Sequence, residues 1–133
     1  MDERLRLAVG DAAVVVGVVV AGQVSHGTTP LAAPLSTAET LASFLAGWLV
    51  AAGLVGVYSG DDLRRSWRLV AGAWLAGANL GLIARASPLF SGGAAWPFPL
   101  VITGTTLGML LLWRGALVAL SRVRTPTGRP AGD

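Results

Sequence analysis

Cysteine and lysine are both absent from the 133 residues, histidine and tyrosine occur once each, and charged residues make up only 13% of the chain. Each shortage removes a class of chemistry. Without cysteine there are no disulfides, no thiolate metal sites and no thiol nucleophile. A structural zinc site usually takes four nitrogen or sulfur ligands, so one histidine leaves that class without donors, and no metal or other cofactor is expected. A haem held by two histidines would need a second chain to lend its own His26. The Gly-rich phosphate loop, HExxH and Gly-x-Ser-x-Gly are missing too, so no catalytic residue can be nominated and an enzyme is not the expected reading.

What remains is apolar. Hydrophobic residues form 53% of the chain and the mean hydropathy is +0.65. A soluble domain carries about 25% charged residues, so membrane residence is the expectation. The basic excess is all arginine, and the arginines sit at the margins of apolar runs instead of along one polar face. That distribution points to lipid headgroups and away from nucleic acid.

Four apolar segments stand out, at about 7–24, 38–57, 62–84 and 98–120. Each approaches or reaches the roughly 20 residues that cross a ~30 Å hydrocarbon core as a helix. Alternation of polar and apolar residues is lacking, which argues against a barrel. The expected fold is an all-α antiparallel four-helix transmembrane bundle, a single domain over 1–123 followed by a disordered cytoplasmic tail at 124–133. Ser36-x-x-Glu39 has the form of a capping box opening the second helix. Asp61 offers an N-cap to the third, and Pro97 and Pro99 suit the first turn of the fourth. The opening MDERLR and the valine-rich run after it also resemble a signal peptide. Asp11 interrupts that run and no clean A-x-A site follows, so retention of the first helix is the preferred reading.

Arginine distribution gives an orientation. Arg4 and Arg6 precede the first segment, Arg64, Arg65 and Arg68 lie around the second connection, and Arg122, Arg124 and Arg129 follow the fourth. The other connections hold only Arg85. The positive-inside rule then places both termini in the cytoplasm of an inner or plasma membrane. Tyr58, Trp67 and Trp113 fall near the inner boundary and Trp96 near the outer one, as interfacial aromatics do.

Lipid tails are as apolar as leucine, so helices must meet through small residues and polar pairs. Ala73, Gly77 and Gly81 form a small-residue stripe in the third segment; Gly104 and Gly108 form another in the fourth, and Ala52 with Gly56 a third in the second. Tight packing of the third segment against the fourth is the expectation. Ionic groups at membrane depth tend to face the bundle interior. Asp11 lies about 6 Å inside one end of its helix, and Arg114, about 24 Å along the fourth, reaches a similar depth. Either the two pair, or Arg114 snorkels to headgroups and Asp11 is left to water or a proton. At the far end Gln23, His26, Glu39 and Arg85 collect near one surface. His26 follows Asp11 by 15 residues and differs from it by about 60° around a helix, so it can form the outer lip of a stripe through Asp11, Val15, Val18 and Gly22. An ordinary loop position beside Gly27 explains it equally well.

Gly10-Asp11, Ser25-His26-Gly27, Gly47-Trp48, Arg85 and Trp113-Arg114, in this order and spacing, resemble the small four-span membrane family catalogued as domain of unknown function 3054. The resemblance spans about residues 8 to 120 and implies a prokaryotic integral membrane protein in which Asp11, His26, Arg85 and Arg114 are the residues to test. It supplies no activity. Two functions are compatible with the residues: small-solute or proton handling through a polar bundle interior, as a homo-oligomer, or a non-catalytic accessory subunit that binds a partner membrane protein.

Overall fold

Glycine and proline punctuate the chain into four helices in the computed structural model, which describes residues 2–124. They are α1 (Glu3–Ser25), α2 (Pro34–Val55), α3 (Trp67–Ala86) and α4 (Phe98–Arg124). No strand occurs among the described residues, so the all-α four-helix expectation holds. The tail beyond Arg124 lies outside the described residues, and Arg124 itself, expected in that tail, ends α4. All four helices are long and apolar enough to cross a membrane. Their outward faces fit that solvent: Leu54 is 84% exposed, and Ile83 and Leu112 are each 68% exposed, a cost in water that lipid removes.

The ends differ from the expected ones where a residue's backbone preference outweighed a side-chain motif. Pro34 starts α2 two residues before Ser36, so Ser36 and Glu39 lie inside the helix and no capping box forms. Gly56 takes the left-handed conformation (φ 78°) that closes α2, and its amide donates to the Ala52 carbonyl. It is a terminator, not part of a packing stripe. The third helix begins at Trp67, later than expected, with Ser66 and not Asp61 at its N-cap position.

The helices form a ring in which α1 touches α2 and α4, and α3 touches the same two, while diagonal pairs stay apart. Cross-helix contacts set the antiparallel register: Gln23 meets Thr37, Phe44 lies against Gly81, and Asp11 meets Arg114. The closest approach is between α2 and α3, not between α3 and α4. A Cβ on Gly77 would fall 2.8 Å from the Gly47 carbonyl oxygen, and one on Gly81 would fall 2.6 Å from the Phe44 ring. Ala73, Gly77 and Gly81 are all buried on that face. Gly104 and Gly108 have open space where a side chain would stand, so the α4 stripe makes no close contact. Gly77 and Gly81 on α3 therefore meet α2.

Phe44, Trp48 and Trp74 fill the middle of the ring with ring centroids 6.3 Å apart for the Phe44–Trp74 and Trp48–Trp74 pairs. Val15, Val70, Ala78 and Leu110 complete this dry layer, all fully buried. The Trp74 indole N–H donates to the Thr103 carbonyl across α3 and α4 at 2.9 Å. Ionised side chains are therefore sorted to the two ends, while Thr106 lies fully buried between Ile102 and Leu110 on α4.

Candidate functional site

The end that holds the chain's N-terminus contains a closed ionic knot. On α1 the buried positions are Leu7, Asp11, Val15 and Val19, a four-residue spacing that keeps one face of the helix inward. On α4 they are Ile102, Thr106, Leu110 and Arg114. Asp11 and Arg114 thus meet on facing stripes with 0% and 1% exposure. The guanidinium grips the carboxylate as a fork: Nε donates to Oδ1 at 3.0 Å and one terminal nitrogen donates to Oδ2 at 2.5 Å. The other terminal nitrogen donates to the Leu63 carbonyl at 2.5 Å. The Tyr58 hydroxyl donates to Asp11 Oδ2 at 2.6 Å. Tyr58 lies past the end of α2, and burial, helped by the bond to Asp11, pushes its phenol well above the ordinary range. It therefore stays a donor at any physiological pH.

All three Arg114 nitrogens, both Asp11 carboxylate oxygens and the Tyr58 hydroxyl are engaged here, and fork geometry makes such bonds strong and directional. Gly10 contributes by absence: the Trp113 indole packs where its side chain would be, bringing α1 against α4.

The opposite end is built differently. The cavity there, about 230 Å³, is bordered by all four helices. Val18 and Val19 of α1 and Val101 and Ile102 of α4 give it apolar walls, with the Phe98 ring beside them. Gln23, His26, Ser36, Thr40 and Arg85 supply its polar rim. Gln23 is committed to Thr37, donating at 2.8 Å and accepting at 3.0 Å. Arg85 donates to the Thr40 hydroxyl, and its guanidinium lies 5.0 Å from the centre of the Phe98 ring. No carboxylate comes within ion-pair distance of Arg85 among the described residues. Its Nε is buried without a hydrogen-bond partner. The neighbouring acid, Glu39, instead accepts from the Ser91 hydroxyl at 2.9 Å and the Ser91 amide at 3.4 Å.

The four candidate residues thus fall into two separate groups. Asp11 and Arg114 form one; Arg85 and His26 line the other. His26 is exposed and caps α1, with its backbone amide donating to the Gly22 and Gln23 carbonyls. Glu39 lies near the same end but is not among the cavity residues. Sequence reasoning missed Tyr58 and the Leu63 carbonyl at the knot, and Ser36 and Thr40 at the cavity. The sole tyrosine, close to the depth of Asp11, was the one available signal for the first. Asn79 bonds back to the Leu75 carbonyl within its own helix. No group of three or more metal-ligating side chains occurs among the described residues.

A family model described as "Protein of unknown function (DUF3054)" matches residues 8–117. No curated protein and no solved structure matches the chain.

Proposed function

The chain belongs to the DUF3054 family of proteins of unknown function, and from that premise we propose that this multi-pass membrane protein handles a small solute at its outer end. The observation that carries the reading is Arg85, a cation that lines a cavity bounded by all four helices and whose buried Nε has no hydrogen-bond partner. Leaving such a donor unsatisfied costs about 1–3 kcal/mol or more when the group is charged, which a bound acceptor would recover. The Asp11–Arg114 knot then serves as a register lock and not as a binding or proton-transfer site, since its donors and acceptors are already spent on one another. Both termini lie in the cytoplasm of a prokaryotic inner membrane under this reading, with the cavity facing outward, as the arginine distribution favours. Passage through the bundle would require the Phe44, Trp48 and Trp74 layer to move.

The test uses the natural lack of cysteine. A Ser36→Cys variant, its single thiol on the cavity rim, should react with a membrane-impermeant maleimide added outside intact cells. Reaction only after the inner face is opened, or none at all in a folded protein, contradicts the reading. A second function is favoured by one observation: Gly104 and Gly108 leave an open groove on α4. An accessory subunit would seat a partner span, or a second copy of this chain, there. Gly104→Leu would then abolish co-purification of the assembly and leave thiol labelling at Ser36→Cys unchanged.

A further inference from the structure

The geometry points to a monocarboxylate on an apolar stem as the ligand of the outer cavity, its carboxylate on Arg85 and its stem against Val18, Val101 and Ile102. This assignment rests on the reading of the cavity as a solute site. Three features carry it.

Charge comes first. Arg85 donates to Thr40, and no acid comes within ion-pair distance of it among the described residues. Glu39 offsets part of the Arg85 charge, so at most one added negative charge is met there, and a dianion such as hydrogen phosphate would bring one with nothing to meet it. Glu39 nearby makes an excess of negative charge less welcome still.

Donor geometry comes second. A guanidinium binds a carboxylate best through two parallel N–H bonds. Nε is buried and unpartnered, so a turn of the guanidinium toward the cavity offers that arm of the fork without breaking a bond at Nε. Asp11 on Arg114 shows the same fork within this chain, using Nε and one terminal nitrogen.

Shape comes third. A cavity of about 230 Å³ holds roughly seven or eight atoms of water size at ~30 Å³ each. That suits a short-chain acid such as butyrate, whose stem would contact valine and isoleucine. Val18 also lines a second, almost wholly apolar trough of about 550 Å³ between α1 and α4, reaching toward Gly10 and Trp113. A longer chain entering at Arg85 has that trough ahead of it. The carboxylate is common to both sources, a water-borne short-chain acid and a membrane-borne fatty acid.

The experiment is equilibrium binding of radiolabelled butyrate to the full chain in lipid nanodiscs. Binding should be saturable, competed by unlabelled butyrate, and unaffected by equal concentrations of butyramide or inorganic phosphate. Arg85→Gln should weaken it about tenfold or more. Ile102→Phe, which fills the cavity and keeps the cation, should weaken it too, while Gly104→Ala on the open face of α4 should not. Palmitate that displaces butyrate at lower concentration than butyrate itself identifies the membrane as the source; palmitate that fails to displace it identifies water. Equal competition by butyramide, displacement by phosphate, or unchanged affinity in Arg85→Gln overturns the assignment. So does absence of binding by both butyrate and palmitate. If Ser36→Cys is still labelled from outside in that case, the solute reading survives and only the carboxylate fails.

Discussion

The two arginines at opposite ends of the bundle, Arg114 buried and Arg85 partly exposed, live in different company. Arg114 spends Nε and both terminal nitrogens on Asp11 and the Leu63 carbonyl. Arg85 has Thr40, the face of Phe98 and an unpartnered Nε. A cation whose three nitrogens are all engaged holds a structure together, because any change at it leaves a charge stranded. A cation with a donor in reserve beside a cavity can accept something new. Burial and hydrogen bonding differ together: Arg114 is buried with all three nitrogens engaged, and Arg85 is partly exposed with Nε unpartnered.

The largest effects should come from breaking the knot on one side only. Arg114→Met or Asp11→Leu alone strands a buried charge and should cost about 3–5 kcal/mol, read as loss of monodisperse protein in mild detergent. The double replacement removes both charges and should recover most of that loss. Single and double variants that behave alike would mean the pair is not coupled.

Glycine substitutions sharpen the contrast between contact faces. Gly77→Ala forces α3 off the Gly47 backbone and should cost about 1–3 kcal/mol, whereas Gly104→Ala faces open space and should change thermal stability little. Equal melting shifts would show that the close α2–α3 approach is not what the packing depends on.

A smaller effect concerns Tyr58. Its phenol is raised in the folded protein, so it keeps its proton where an unfolded tyrosine begins to lose one. Its contribution to stability is complete below about pH 10, the ordinary tyrosine value, and declines as pH rises toward the raised one. Tyr58→Phe should cost about 1 kcal/mol at neutral pH and should flatten the decline above pH 10. A decline of the same steepness in the variant would assign it to other groups.

Much of the architecture was legible because helices are periodic and membranes have a fixed thickness. Length and apolarity alone define four spans, and a rise of ~1.5 Å per residue puts Asp11 and Arg114 at one depth. The same arithmetic cannot say what the connections do. Tyr58 and Leu63 reach the knot from the segment between α2 and α3, whose path follows from no repeat. Ser36 and Glu39 match a capping box, yet Pro34, with its fixed φ and no amide to satisfy, starts α2 earlier and carries Ser36 and Thr40 onto the cavity end. Small-residue spacing marks a helix face without naming its partner. Gly77 and Gly104 look alike in sequence, and only the first meets another backbone.

Thermal denaturation of Asp11→Asn and Arg85→Gln side by side, in the same nanodiscs without added solute, tests the division most directly. Asp11→Asn should melt far below the parent protein, while Arg85→Gln, which trades an under-used cation for a neutral amide, should melt at or slightly above it. An Arg85→Gln variant that loses as much stability as Asp11→Asn would contradict the account, because Arg85 would then be a second lock and the cavity beside it would have no donor to spare.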